Sequence, residues 1–272
     1  MLVDIDAAVR ANTRLSDDYS VLALDAPAIA AAALPGQFVM LKTSRGMDPL
    51  LRRPFSIFEI LRDTTGTPTG ITVFNKRIGK GTGLLYDVEA GARLQVLGPL
   101  GRPFTPVEPP AEAWMVAGGV GLAPFVTLAE ALLARGTPAT LFYGARRARD
   151  LHCIDIFERL GVPIIASTED GSRGVPGRVT VPLETELAHA TGDVHIYVCG
   201  PTPMMRAVAT VAAAHGRRCD VSLEQVMGCG LGGCYSCVVP AREPGGTPHH
   251  TRTCIEGPVF DATRIVWDAL AH

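Results

Sequence analysis

The 272-residue chain has no surplus of either charge. Its 25 lysines and arginines face 27 aspartates and glutamates, a formal charge of −2. A nucleic-acid binder would show a basic stripe, so that class is set aside. No apolar run nears the roughly 18 residues that a membrane helix needs. AIAAAAL (28–34) is closed off by Pro27 and Pro35, so no membrane span is expected. MLVDIDAAVR carries Asp4 and Asp6 and no apolar core, so it does not read as a secretory leader. There is no internal repeat, and no low-complexity tract beyond the Ala-rich stretch near 26–33. Seven cysteines, an odd number with four towards the C-terminus, read as metal ligation in a reducing cytosol rather than a disulfide framework. The expected location is cytoplasmic. With 19% charged and 47% apolar residues, the chain reads as a soluble globular protein long enough for two domains and a small appendage.

Up to about residue 105, short β-type runs alternate with turn residues: YSVLAL (19–24), QFVMLKT (37–43), FSIFEI (55–60), GITVFNK (70–76) and ARLQVLGPLG (92–101). Such spacing favours a small antiparallel barrel. RPFTPVEPPAE (102–112), with four prolines, reads as a connection. Four apolar strand-type runs follow, AWMVAGG (113–119), ATLFYGA (139–145), VPIIAST (162–168) and VHIYVCG (194–200), with helical stretches near 123–135, 150–160 and 201–215. That alternation predicts a parallel sheet covered on both faces. From about 216 the chain is rich in Gly and Cys, and is expected to fold around a metal.

EQVMGCGLGGCYSC (224–237) sets the spacing Cys229-x4-Cys234-x2-Cys237, and Cys254 follows after 16 intervening residues. Zinc sites favour paired CxxC units; C-x4-C-x2-C…C is the spacing of a [2Fe–2S] centre. A binuclear cluster is wider than one ion, so a loop must curl round it with amide groups facing sulfur. Gly228, Gly230, Gly232 and Gly233 allow that approach. The competing reading is a zinc knot on the same thiolates, in a binding module without redox activity. Cys153 and Cys219 read as buried thiols.

An iron–sulfur centre passes single electrons and needs a source. In LRRPFSI (51–57), Arg53 suits a phosphate clamp and Ser56 a hydrogen bond to a flavin. FNKRIGKGT (74–82) adds a Gly79-x-Gly81-Thr82 turn for backbone contact with an anion, and charge from Lys76 or Arg77. Together they suggest a pyrophosphate site. MVAGGVGLAPF (115–125), with Gly118, Gly119, Gly121 and Pro124, is not G-x-G-x-x-G, but it reads as strand, glycine turn and helix start. YVCGP (197–201) places Cys199, Gly200 and Pro201 at a second such turn. Both belong at the carboxyl edge of a parallel sheet, where nucleotides bind.

The order R-P-F-S, G-G-V-G-L-A-P, C-G-P, C-x4-C-x2-C…C resembles the ferredoxin–NADP reductase superfamily, and within it the electron-transfer subunits of dihydroorotate dehydrogenase B. SLEQVMGCGLGGCYSCVV (222–239) and CIEGPVF (254–260) are the distinctive pieces. The resemblance spans essentially the whole chain. It implies a multi-domain, β plus α/β fold: an antiparallel β-barrel FAD domain (1–105), a parallel-sheet NAD-binding α/β domain (106–215) and a small C-terminal [2Fe-2S] domain (216–272). Arg53, Pro54, Phe55 and Ser56 match the first flavin segment, and Phe74, Asn75, Lys76, Gly81 and Thr82 the second. Gly118, Gly119, Gly121, Pro124, Gly200 and Pro201 would hold NAD. Cys229, Cys234, Cys237 and Cys254 match the cluster ligands. Phe55 lacks the hydroxyl of a tyrosine common in the superfamily, and Lys76 stands where relatives often carry arginine, which forfeits a bidentate contact.

The implied activity is an NAD-dependent oxidoreductase subunit of pyrimidine (UMP) biosynthesis. It would exchange electrons between NAD and an FMN-containing dihydroorotate dehydrogenase catalytic subunit, in a heterotetramer of two of each. The rival is a related subunit of a ferredoxin-dependent transhydrogenase or a hydrogenase. Cys199 either approaches the nicotinamide or ends a buried strand. GARRARD (144–150) holds a 2′-phosphate through Arg146, Arg147 or Arg149, or is a solvated basic loop.

Overall fold

The computed structural model describes residues 1–243 and 245–270. Its first half contains β1 (Val3–Arg14), β2 (Tyr19–Asp25), α1 (Pro27–Ala32), β3 (Phe38–Leu41), β4 (Arg53–Arg62), β5 (Pro68–Lys76), α2 (Lys80–Asp87) and β6 (Arg93–Leu100). The strands close antiparallel in the order β1-β2-β5-β4-β3-β6, which removes exposed sheet edges. Leu22, Leu24, Val39, Leu41, Ile71 and Val73 fill the interior, each fully buried, and Ile29 of α1 joins them. The barrel inferred from short strands is present. Its first strand, twelve residues with acidic and basic side chains alternating outward, carries too weak an apolar signal to be read from sequence.

The second half contains β7 (Glu112–Gly118), α3 (Phe125–Leu133), β8 (Ala139–Ala145), α4 (Ile154–Arg159), β9 (Ile164–Thr168), β10 (Val175–Pro176), α5 (Thr180–His189), β11 (Val194–Cys199), α6 (Thr202–Ala214) and β12 (Arg218–Ser222). After them come a hairpin of β13 (Val238–Arg242) and β14 (Pro248–Arg252), and β15 (Val259–Asp261). One sheet runs β10-β9-β8-β7-β11-β12-β15, parallel except for β15. β12 and β15 lie beyond residue 215, so the cysteine-rich segment is stitched into this sheet.

Period-two alternation decides what each face packs against. Ala113, Met115 and Ala117 of β7 face a core with Phe125, Leu128 and Phe157. Trp114 and Val116 face the other, with Leu183, Met205 and Val208. The first of these cores also takes in Tyr19, Phe58, Phe74 and Phe104, so barrel and sheet share one apolar interior. The proline-rich connection is pinned by Tyr197. Its hydroxyl donates to the Thr105 carbonyl at 2.8 Å and accepts from the Val107 amide at 3.0 Å. No described helix is long and apolar enough to cross a membrane.

Candidate functional site

Three groups of residues converge where the two halves meet. The first lies on the barrel. β3 pairs with β4 so that Leu41 faces Arg53, Met40 faces Pro54, Val39 faces Phe55 and Phe38 faces Ser56. The start of α2 then folds over Arg53: a Cβ on Gly81 would stand 3.3 Å from Thr43 Oγ1 and 3.6 Å from Arg53 Nε. The two segments expected to hold the flavin, with 17 residues (57–73) between them, are thereby in contact. Arg53 Nη1 donates to the carbonyls of Leu51 and Arg52 at 3.0 and 3.1 Å, leaving Nε and Nη2 without a partner among the described residues. Thr43, 5% exposed, has an unpartnered hydroxyl. A buried hydroxyl left unpaired costs about 1–3 kcal/mol, so this arrangement fits a missing polar group. The first amides of α2 have no acceptor within the helix; Thr82 Oγ1 takes those of Ile78 and Gly79 just before it at 2.9 and 3.0 Å, and those of Lys80 and Gly81 have no acceptor among the described residues. A free guanidinium edge, an orphaned hydroxyl and open amides suit a diphosphate. A cavity of about 520 Å³, lined by Asp18, Arg77, Gly79 and Lys80 among others, flanks this helix start.

Individual residues occupy positions the sequence did not resolve. The Thr82 hydroxyl closes its own turn. Asn75 is fully buried, and its Nδ2 donates to the Thr82 carbonyl at 3.1 Å, locking β5 to α2, while its Oδ1 has no partner. Phe74 is 3% exposed, packed on Phe58 and Tyr19 with ring centroids 5.4 and 5.7 Å away. Pro54, Phe55 and Ser56 are half-buried, and Lys76 is exposed with its ammonium 5.3 Å over the Tyr19 ring.

The second group sits at the carboxyl edge of the sheet. From β7 the chain moves outward through β8, β9 and β10, then returns to lay β11 on β7's other side. The crevice between β7 and β11 is thus the topological switch point, where open α/β sheets bind ligands. Both predicted turns open into it: Gly118–Gly121 from β7, and Gly200 with Pro201 from β11. They touch closely. A Cβ on Gly121 would lie 2.3 Å from the Cys199 carbonyl oxygen, and one on Gly118 2.5 Å from Met204 Sδ. Pro124 and Pro201 directly precede α3 and α6. Cys199, 3% exposed, ends β11 beneath this turn, and burial raises its thiol well above the usual range, with Glu224 adding to the effect.

Glu224 is a residue that sequence reasoning missed. It follows β12, the strand beside β11, and so reaches the same edge. Its side chain is open to solvent, yet surrounding protein raises its carboxyl, opposed by the charge of Lys76. Solvent access together with dense surroundings describes the floor of a cleft. Recognising β12 as the next parallel strand would have found it. Arg146, Arg147 and Arg149 follow β8 as exposed side chains. The Ala148 amide donates to Ser172 Oγ at 2.8 Å, and Arg147 lies 4.0 Å from Asp150.

The third group is the cysteine loop. The hairpin β13–β14 accounts for the 16-residue gap: Val238 pairs with Arg252, and the Thr253 amide and hydroxyl donate to the Cys237 carbonyl at 3.2 and 3.1 Å. Cys237 and Cys254 therefore lie side by side, each 2% exposed, with their thiols in hydrogen-bonding contact. Burial first, and then Cys237, pushes the Cys254 thiol up to about 12. Cys229 and Cys234 form the outer pair, half-buried and exposed. Hydrogen bonds from Ser236 and then Cys229 pull Cys234 down to about 6. Among the described residues no three such side chains close on a position for one ion. Gly230 (φ +72°) and Gly232 (φ +79°) supply the left-handed turns that curl the loop. A Cβ on Gly230 would stand 2.6 Å from Met40 Cγ and 3.3 Å from Leu100 Cδ1. Phe38, Met40, Leu97, Leu100 and Met227 complete a dry seam with Cys237 and Cys254. Because Met40 lies opposite Pro54, this seam joins the cysteine loop to the strand next to the R-P-F-S segment.

Known proteins are similar to this chain in sequence and in fold. Residues 115–210 match the family described as oxidoreductase NAD-binding domain, and 224–266 the iron–sulfur cluster binding domain of dihydroorotate dehydrogenase B. A curated relative from Desulforamulus reducens, named dihydroorotate dehydrogenase B (NAD(+)), electron transfer subunit, is 37% identical over 97% of this chain and 98% of its own length. One of the same name from Geobacillus kaustophilus is 38% identical over 85% and 86%. Among solved structures, an NADH-dependent reduced ferredoxin-NADP oxidoreductase superposes with a TM-score of 0.83 at 27% identity, over 96% of this chain and 90% of that one. A ferredoxin NADP+ reductase from Neisseria gonorrhoeae with bound FAD and NADP superposes at 0.66 and 17% identity over 78% and 92%, which speaks to the fold alone.

Proposed function

The chain belongs to the family of dihydroorotate dehydrogenase B electron transfer subunits, and from that premise we propose that it carries electrons between NAD and the FMN of a dihydroorotate dehydrogenase catalytic subunit. It does no pyrimidine chemistry itself; it is the electron conduit of UMP biosynthesis. When bound, FAD supplies the exchange between hydride pairs and single electrons, and a [2Fe-2S] cluster supplies one-electron carriage.

Each group of residues then has a task. Arg53, Thr43 and the open amides of α2 hold the diphosphate, while Pro54, Phe55 and Ser56 line the strand along which the flavin lies. Asn75, Thr82 and Phe74 act one layer back: they fix the turn and the wall. Gly118, Gly119, Gly121 and Gly200 let the nicotinamide dinucleotide approach backbone amides at the switch point, with Pro124 and Pro201 starting the helices behind them. Cys199, buried and protonated, forms the floor there, and Lys76 faces Glu224 across the cleft. Cys229, Cys234, Cys237 and Cys254 would hold the cluster, the first two on its outer side and the last two against the apolar seam. The apolar seam behind the inner pair keeps water from the side facing the barrel. This reading divides the chain at 105 and 215, with the cluster segment borrowing the sheet's last strands. Seven cysteines, four of them in the cluster spacing, support a cytoplasmic site, and the exposed Cys234 supports a catalytic partner docking there, two copies of each subunit in all.

The observation that carries the proposal is the Met40–Gly230 contact, which joins a four-thiol loop to the strand paired with R-P-F-S. Anaerobic co-expression with an FMN-containing dihydroorotate dehydrogenase subunit tests it. Expected are a yellow-brown complex, two irons and two acid-labile sulfides per chain, and dihydroorotate-dependent reduction of NAD. Zinc without labile sulfide would overturn the electron-transfer reading. The extensive superposition on the ferredoxin-NADP oxidoreductase favours a second reading, a transhydrogenase subunit. Co-purification with a large iron–sulfur subunit and no FMN subunit would select it.

A further inference from the structure

The cysteine loop is asymmetric beyond burial. The inner sulfurs lie against Phe38, Met40, Leu97, Leu100 and Met227, and their thiols touch each other. The outer sulfurs meet polar groups of the loop. The Leu231 amide donates to Cys229 Sγ at 3.3 Å. Cys234 Sγ lies 3.3 Å from Ser236 Oγ.

Ser236 stands out because its own orientation is fixed. The Gly228 amide donates to Ser236 Oγ at 2.7 Å, which occupies an acceptor site and leaves the hydroxyl proton to point elsewhere. An iron-bound Cys234 is a thiolate and can only accept. Hence the proton of Ser236 goes to Cys234. The bridge is built tightly: a Cβ on Gly228 would lie 3.1 Å from Cys234 Sγ and 3.2 Å from Ser236 Oγ, so a side chain at 228 would press on both partners.

We propose that Ser236 is a positioning residue for electron transfer: oriented by the Gly228 amide, its hydroxyl donates to the Cys234 sulfur and raises the reduction potential of the cluster at its exposed edge. The inference rests on the [2Fe-2S] reading above. Reduction by one electron adds one negative charge to the cluster and its sulfurs. A donor aimed at sulfur stabilises the reduced form more than the oxidised form, and hydrogen bonds to sulfur together with solvent exposure are what tune such centres. The hydrogen bonds cluster on the Cys229–Cys234 side, while the opposite side faces an apolar wall. The added electron is therefore favoured at the outer edge, away from the barrel and towards an approaching partner. Electrons balance simply: one enters from the flavin side and one leaves to the partner, or the reverse.

The test uses the whole flavin- and cluster-loaded chain, titrated with a redox dye series while the reduced cluster is followed by electron paramagnetic resonance. Ser236→Ala is expected to load the same iron and sulfide per FAD, to titrate at a more negative potential, and to show altered g-values. Ser236→Thr should return both towards wild type. Should S236A fail to assemble, the S236T and S236V pair offers one shape with and without the hydroxyl. Equal potentials and spectra in fully loaded S236A, or in loaded S236T and S236V, overturn the inference and leave the cluster reading intact. Loading of the hydroxyl-bearing variant with failure of both hydroxyl-free ones overturns it too, since that is a structural role. A wild-type chain without labile sulfide fails the underlying reading instead.

Discussion

Gly230→Ala measures how tightly the cysteine loop is fastened to the barrel. Two costs add. At φ +72° an L-residue with a Cβ pays roughly 1–2 kcal/mol. The new methyl would also stand 2.6 Å from Met40 Cγ and 3.1 Å from its Sδ; Met40 is fully buried, so relief requires moving packed atoms, about 1–3 kcal/mol. The sum, about 2–5 kcal/mol, falls on one loop rather than on the barrel or the sheet. G230A should therefore keep FAD and the reduction of FAD by NADH, while losing iron and labile sulfide on gel filtration. The two terms separate in a double-mutant cycle. Met40→Ala alone opens a cavity costing about 2–5 kcal/mol, but in the double variant the methyl of residue 230 enters that space. The pair should recover the steric part, about 1–3 kcal/mol, and not the backbone part. The read-outs are cluster occupancy after a guanidinium series and the loop's thermal transition. A G230A chain that retains its cluster as wild type does, or a cycle with no coupling, would refute the seam.

Three further outcomes are expected. Arg53→Ala removes the free guanidinium edge and should weaken FAD binding by about 1.5–3 kcal/mol, roughly 10- to 150-fold in Kd, measured by flavin fluorescence on release; unchanged affinity would place the diphosphate elsewhere. Cys234→Ser should spare reduction of FAD by NADH in stopped flow and cut transfer to the partner; intact transfer would take the cluster out of the path. Burial raises the carboxyls of Glu59 and Glu130, with arginines Arg159 and Arg62 opposing. Their folded proton affinity thus exceeds the unfolded one, so the stability they contribute is full below the ordinary carboxyl range and lost as pH rises through the folded pKa. Glu59→Gln should therefore gain thermal stability relative to wild type as pH rises above the ordinary carboxyl range, and a pH-independent difference in melting temperature would contradict the sign.

Much of the fold was legible because its signals are local. Buried parallel strands such as VHIYVC carry continuous apolar runs, and all six of its residues are buried. The Cys spacing is likewise a statement about one loop and its hairpin. β1 escaped notice because a barrel strand with Asp4, Asp6 and Arg10 on its outer face shows only a faint alternation. α5 escaped because TVPLETELAH holds a proline in its first turn and has a weakly segregated apolar face, although Leu183 and Leu187 are deeply buried.

The site itself divides along the same line. Arg53, Gly81 and the four cysteines announce themselves through residue type and spacing, whereas Thr43, Met40, Glu224 and Ser236 matter only because of what the fold brings to them. Thr43 is one of many threonines until Gly81 and Arg53 close over it. Met40 is an ordinary core methionine until the left-handed turn at Gly230 lands on it. Phe74 illustrates the converse: its place in the second flavin segment suggests contact with a cofactor, and what the fold adds is the packing of its ring on Tyr19 and Phe58. A motif specifies which backbone will approach a ligand. Which side chains then stand free to bind it depends on pairings across the sheet and between the two halves, and those pairings connect residues whose separation in sequence carries no local signature.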